Sequence, residues 1–281
     1  MRLILGGVRG TSPVADPKFA EFGGDTTAFL VEGSNGEAIV IDAGSGVRVL
    51  DPYLRQTDRA SSILLLMTHY HLDHLMGFPS FSVIYDAKWK LEIKGPRLNG
   101  FTAEDAVKHV LTRPFWPLQL EALESGITFS DLPEDGGAPH IYRGLEVRWC
   151  PVQHLGGCVS YRMDDPATRH SVIIATDVEW QLASEKDRHN FFEFCKYPAP
   201  PDLLVFDGQF TPENYAQFRG WGHSTWQDAI DVAKQVNARE LIITHHHPRS
   251  DDEILHQIEK EVKRQMPNAW LGRQDAAIDV G

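Results

Sequence analysis

The segment that most restricts this chain runs Ile63-Leu64-Leu65-Leu66-Met67-Thr68-His69-Tyr70-His71-Leu72-Asp73-His74. A short, wholly apolar run is the signature of a strand covered on both faces, so it predicts a sheet with packed layers on either side. The end of that strand releases three imidazoles and a carboxylate within six residues. Nitrogen and oxygen donors of this kind hold Zn, Mn or Fe. In a strand-end loop, His69 and His71 can face one point while Asp73 and His74 face a neighbouring one, which suits two adjacent metal ions. The competing reading is a polar surface loop, but a His-x-His-x-Asp-His match rarely arises by chance.

The rest of the chain alternates short β runs with amphipathic helices. Leu3 to Leu5, Thr27 to Val31, Ala38 to Ile41 and Ser62 to Thr68 read as strands, with a helix over Val47 to Gln56. Thr102 to Thr112 reads as a helix capped by Thr102 and stopped by Pro114. Strands follow at Ile127 to Phe129, Leu145 to Pro151, Val159 to Met163, Val172 to Ala175, Leu203 to Phe206 and Leu241 to Thr244. Helices are expected at Ser184 to Tyr197, Thr225 to Val236 and Asp251 to Gln265. Strands in two halves, each followed by helices, predict two sheets packed together with helices outside. Without a linker or repeat, residues 1–281 read as one domain.

Four ligands do not complete two metal sites, and three strand ends offer the remainder. His154 follows the strand ending at Pro151, Asp177 follows Ala175, and His245 follows Thr244. A lone histidine after a strand is more often a surface residue. Recurrence at apolar strand ends beside a strong cluster reverses that weighting.

Charge narrows the substrate. The formal net charge is −12 and no dense basic run exists, which argues against a long polyanion such as tRNA. A small anion held by metal ions remains compatible. Cys150, Cys158 and Cys195 are too few for a disulfide framework, no secretory signal begins the chain, and no apolar run approaches membrane length. A cytoplasmic protein without a membrane partner is expected.

The cluster with its later His, Asp and His resembles the metallo-β-lactamase superfamily over nearly the whole chain. Asp42-Ala43-Gly44-Ser45-Gly46 resembles its early Asp-x-Gly turn, and Gly77 follows the cluster. The resemblance implies an α/β fold, a four-layer αββα sandwich with metals at one edge. It assigns His69, His71 and His154 to one metal and Asp73, His74 and His245 to the other, with Asp177 bridging. Two divalent ions follow, zinc first, with manganese or iron as alternatives. His246 is the fallback for His245, which directly follows its strand.

The last third narrows the branch. Asp202-Leu-Leu-Val-Phe-Asp207-Gly-Gln-Phe210 and Gly222-His223-Ser224-Thr225 resemble the phosphodiesterase branch, which includes ribonuclease Z and cyclic-nucleotide phosphodiesterases. By that resemblance Asp73, His223 and Asp207 are catalytic: His223 protonates the leaving oxygen and Asp207 orients its imidazole. The implied reaction is hydrolysis of small phosphodiesters, cyclic nucleotides first, by hydroxide generated between two metals. The plain alternative for His223 is a loop leading into a helix cap, and both roles can coexist. The Gly- and Lys-rich arm of ribonuclease Z has no counterpart. Homodimers are common in the family, so a second copy of the chain is the protein partner the resemblance offers.

Two other functions compete. A lactonase or β-lactamase-like hydrolase of carbon esters or amides would share the metals but has no obvious use for the Asp207–His223 pair. A di-iron protein binding oxygen or nitric oxide generally replaces a cluster histidine with a carboxylate, and this chain keeps all three. A binding module with a dead site is disfavoured because each ligand position is filled.

Trp116, Trp149, Trp180, Trp221, Trp226, Phe115 and Phe210 offer stacking surfaces, although most aromatics fill cores. Trp221 stands apart because it lies beside His223. Arg113 to Pro117 reads as a bulky exposed loop able to cover the site or contact another subunit. Gly6-Gly7 and Gly23-Gly24 read as turns, with Gly24 to Thr27 close to the metals, and Cys158 reads as structural.

Overall fold

The computed structural model describes residues 1–55, 61–133 and 138–281. In chain order the strands are β1 (Arg2–Gly7), β2 (Ala28–Glu32), β3 (Ala38–Ile41), β4 (Ser62–Leu66), β5 (Lys90–Gly95), β6 (Gly126–Asp131), β7 (His140–Tyr142), β8 (Leu145–Val152), β9 (Cys158–Asp165), β10 (His170–Ala175), β11 (Leu203–Asp207), β12 (Glu240–Thr244), β13 (Ala269–Leu271) and β14 (Ala277–Asp279). The helices are α1 (Val47–Arg55), α2 (Ala103–Val110), α3 (Glu185–Lys196), α4 (Tyr215–Phe218), α5 (Trp226–Val236) and α6 (Asp252–Gln265).

Two seven-stranded sheets result, ordered β14-β1-β2-β3-β4-β5-β6 and β13-β12-β11-β10-β9-β8-β7. Their strands alternate between two cores. In β4, Leu64 and Leu66 enter the cluster shared with Val172, Ile174, Leu203, Val205 and Ile242 of the other sheet. Ile63 and Leu65 enter a second cluster with Leu50 of α1 and Val107 of α2. In the other sheet Ile173, Leu204 and Phe206 turn outward against Phe191 of α3, Ile230 of α5 and Leu255 of α6. Both faces of each central strand are therefore buried, which is why these strands read apolar throughout. Each such Leu or Ile contributes about 1.5–3 kcal/mol by leaving water. The expected αββα layering is the observed one.

Helix starts follow local chemistry. Thr102, Ser184 and Thr225 each cap a helix and are answered by Asp105, Asp187 and Asp228 in capping boxes. Asp251 caps α6. The Thr102 helix ends at Val110, before Pro114, and Leu111 closes it. Gln56, the expected end of α1, lies outside the described residues.

Gly6 and Gly7 lie within β1 and are not a turn. A Cβ on Gly7 would sit 1.9 Å from the Thr26 carbonyl oxygen, so glycine is required by the close pass of that backbone. The segment Gly24 to Thr27 supplies no donor to the metal cluster, although Thr26 and Thr27 pack with the Asp73 main chain around Gly44. Asp25 instead binds Arg48 at 2.6 Å and Ser45 at 2.9 Å, bracing the turn after Asp42. In the loop after α2, Phe115 is exposed, while Trp116 packs on the α1–α2 core and donates to the Tyr85 hydroxyl at 3.1 Å.

Candidate metal centre

Parallel pairing sets the geometry. β3, β4, β5 and β6 are mutually parallel, as are β10, β11, β12 and β13. The carboxyl ends of β3, β4, β10, β11 and β12 gather at one edge of the sandwich, and ligands favour such ends in α/β sheets. Asp42, Asp177 and His245 all stand just past those ends with positive φ, at 58°, 56° and 63°. Left-handed backbone is unfavourable for residues with a Cβ and is characteristically stored at functional sites.

The side chains form two groups joined by one carboxylate. Donor atoms of His69, His71, His154 and Asp177 lie within 4.8 Å of one another, as do those of Asp73, His74 and His245. Asp177 reaches both: Oδ2 lies 3.6 Å from Nε2 of His69 and of His154, and Oδ1 lies 3.0 Å from His74 Nε2 and 3.2 Å from His245 Nε2. Asp73 Oδ2 is 3.4 Å from His245 Nε2. All seven expected ligand residues therefore converge. His245 turns into the cluster, whereas His246 points away and donates from Nε2 to the Gly272 carbonyl at 2.8 Å.

Asp177, Asp207, His223 and His245 also lie within 4.8 Å. Asp207 is committed elsewhere, because its oxygens accept from the N–H groups of Val178, Gln209 and Ser224 and from the His223 ring. A carboxylate so satisfied has little left to offer an ion.

The donor set fits divalent cations. His69 Nε2 is buried with no hydrogen-bond partner, facing Asp177 across the cluster. A buried orphan nitrogen is costly unless something occupies that space. Burial, reinforced by the neighbouring imidazoles, holds His69 well below the ordinary histidine pKa, and burial takes His154 down to about 4. Both rings are therefore neutral, the form that ligates. Burial also opposes charge on His74, but Asp177, Asp73 and Asp42 outweigh it and raise this ring well above its ordinary value. That crowding of carboxylates around one imidazole marks a place where positive charge is wanted.

A surrounding shell fixes each ring. Asp42 Oδ2 accepts from His74 Nδ1 at 2.7 Å and from the Thr68 hydroxyl, while Asp42 Oδ1 accepts from the Thr68 amide. Gln209 Oε1 meets His245 Nδ1 at 2.8 Å, and the Gly222 carbonyl meets His154 Nδ1 at 2.7 Å. Thr11 donates its amide to Asp73 Oδ2 at 2.7 Å. Such partners set the tautomer and aim of ligating histidines. Gln209, Thr11 and the orienting role of Asp42 escaped the sequence reading. Their one signal was placement just beyond strand ends.

His223 completes the centre. Its Nδ1 is 2.8 Å from Asp207 Oδ2, and its ring stacks on His245 with centroids 4.6 Å apart. A carboxylate only accepts, so Nδ1–H donates and Nε2 remains for other contacts. Burial lowers the pKa of this ring, yet Asp207 and Asp177 raise it above the ordinary value overall.

Two β-sheets within helical layers, carrying a His/Asp cluster at one edge, define an αββα metal-site protein. A profile described as the Beta-lactamase superfamily domain matches residues 37–246. The chain belongs to the metallo-β-lactamase superfamily, a family that implies divalent metal ions. Ribonuclease Z of Anoxybacillus flavithermus is 32% identical over 256 residues, 77% of this chain and 79% of that protein. Human tRNase Z, short form, superposes with a TM-score of 0.69 at 18% identity over all of both chains. A diphosphatase from the PhnP family gives a TM-score of 0.70 at 15% identity, covering 100% of this chain and 98% of that one. At those identities the two structures speak for the fold alone.

Among the described residues, no helix is long and apolar enough to cross a membrane.

Proposed function

We propose that the chain is a phosphodiesterase that hydrolyses small phosphodiesters, cyclic nucleotides first among them, at a two-metal centre. His69, His71 and His154 would hold one ion and Asp73, His74 and His245 the other, with Asp177 shared between the two groups and zinc the expected metal. Bound divalent ions lower the pKa of water towards neutrality and offset charge on phosphoryl oxygens.

The Asp207–His223 pair is the observation that carries this reading. A buried imidazole held at 2.8 Å by a fully buried carboxylate, and stacked on a ligand histidine, is an acid aimed at the edge of the cluster. His223 stays protonated above the ordinary histidine range and gives its proton to the departing alkoxide. Asp207 holds the ring and favours its charged form. Asp73, anchored by the Thr11 amide, keeps its negative charge because His74 and His245 outweigh its burial.

We read long RNA as a poor substrate despite the ribonuclease Z kinship. The net charge of −12 opposes a polyanion. Between His154 and Asp177 the chain is taken up by the β9–β10 hairpin, whose strands pair from Asp165↔His170 onward, so no arm projects there. Cys150, Cys158 and Cys195 are unpaired, which suits a reducing, cytoplasmic setting.

The test is hydrolysis of bis(p-nitrophenyl) phosphate with zinc or manganese and a chelator control. Cyclic nucleotides, a 3′-extended tRNA, a lactone and a β-lactam are run beside it. Chelator-sensitive cleavage of the diesters, with the tRNA slow, is the expected result. Turnover of only the carbon substrates would discard the phosphate chemistry, and fast tRNA cleavage would discard the small-substrate reading.

A further inference from the structure

Eight large hydrophobic side chains are exposed among the described residues, and three of them adjoin the metal cluster. Leu72 (64% exposed) lies between His71 and Asp73, Leu155 (65%) follows His154, and Trp221 (59%) is two residues before His223. Single exposed apolar residues are ordinary, but these three each neighbour a residue of the centre in the sequence, on separate loops.

The backbone on both sides of Trp221 is pinned. Its neighbours Gly220 and Gly222 have φ of 89° and 96°. Both donate their amides to the buried carboxylate of Glu179, at 2.6 and 2.8 Å, and the Tyr215 hydroxyl donates to it at 2.7 Å. Charge-assisted hydrogen bonds of this kind are about twice as strong as neutral ones. Gly222 also lies so close to His154 that a Cβ would meet Nδ1 at 2.4 Å, so the loop is pressed against a proposed ligand. The Trp221 ring stands edge-on to Phe218, with centroids 5.4 Å apart, and Phe218 stacks on Phe210 at 4.6 Å and 3°. Glu179 thus fixes the peptide groups on both sides of an exposed indole, in a loop whose Gly222 carbonyl also holds His154 Nδ1.

We propose that Trp221 is a stacking platform for the planar base of a nucleoside phosphodiester, with Glu179 as the residue that positions it. The proposal rests on the phosphodiesterase reading and names the organic half of its substrate. A rigid aromatic face beside the phosphate site suits a flat ring better than a flexible chain, and stacking serves any base because each has a π-face.

The experiment is calorimetric binding of adenosine 5′-monophosphate and of ribose 5-phosphate to the zinc-loaded protein. The two probes share phosphate and sugar and differ only in the base. Wild type is expected to bind the nucleotide about ten-fold more tightly. Trp221→Ala should erase that preference while moving ribose 5-phosphate less than two-fold, and Trp221→Phe should keep most of it. Glu179→Gln, which sets an amide N–H₂ against the backbone donors, should lose part of it with Trp221 still present. Equal binding of the two probes to wild type, no binding of either, or a preference that survives Trp221→Ala would overturn the proposal. Turnover of bis(p-nitrophenyl) phosphate is measured on the same samples. A base preference without turnover would uphold the platform and sink only the phosphodiesterase reading.

Discussion

The two sheets furnish the centre in different ways. The first delivers a contiguous block, His69 to His74, from the end of one buried strand. The second delivers one residue per strand end: His154 after β8, Asp177 after β10, Asp207 at the end of β11 and His245 after β12. A block is built by local loop geometry and survives as a motif. A dispersed set exists only because the strands that carry it are in register, so its members are as dependent on the core as on their own chemistry. Each sheet also orients a cluster histidine differently. Asp42 grips His74 with a carboxylate, whereas Gln209 grips His245 with a neutral amide.

The largest test of this contrast is Asp177, where the two contributions meet. Asp177→Ala should lower kcat/KM by 10³-fold or more, since each group loses one carboxylate oxygen and two-metal chemistry needs both. A variant with a tenth of wild-type activity would break the joined-site description. Next comes His223→Ala, expected to reduce kcat by 10²- to 10³-fold with KM little changed, in line with the loss of a general acid. An unaltered kcat would remove His223 from the reaction.

The Asp207–His223 pair also sets a pH dependence. Asp207 raises the His223 pKa, so the acid form persists below that raised value and kcat declines as pH rises through it. Asp207→Asn should therefore move the falling limb of the kcat profile to lower pH. A limb that stays in place would assign it to another group.

Smaller effects sharpen the comparison between orienting residues. Asp42→Ala should weaken metal affinity 10- to 100-fold, the usual consequence of losing a carboxylate behind a ligating histidine. Gln209→Ala should cost less, about 10-fold or below, because the bond it removes is not charge-assisted. Competition with a chromophoric chelator measures both, and equal losses would erase the distinction between the sheets.

The same contrast explains what could be read in advance. The αββα layering was legible because β4, β10, β11 and β12 are apolar on both faces, and such strands demand cover on each side. Asp177 and His245 were legible because each follows an apolar strand, and His154 because it follows a strand beside a strong cluster, although Glu146 and Arg148 interrupt that strand. Lys90–Gly95 was missed although its polar and apolar residues alternate, the pattern of a half-buried strand. His140–Tyr142, Ala269–Leu271 and Ala277–Asp279 are three residues each, too short to show a period, and exist through pairing with longer strands. Glu179 and Gln209 were silent because their partners lie dozens of residues away: Glu179 meets Gly222 and Gln209 meets His245 only after folding.

The central claim is that two metal groups share Asp177. Its most direct test is the number of ions bound per chain, by mass spectrometry of metal content, in wild type, His154→Ala and His245→Ala. Two ions in wild type and one in each variant, with the remaining ion still bound after dialysis, is the predicted result. A single ion in wild type, or one variant losing both ions while the other loses neither, would contradict it.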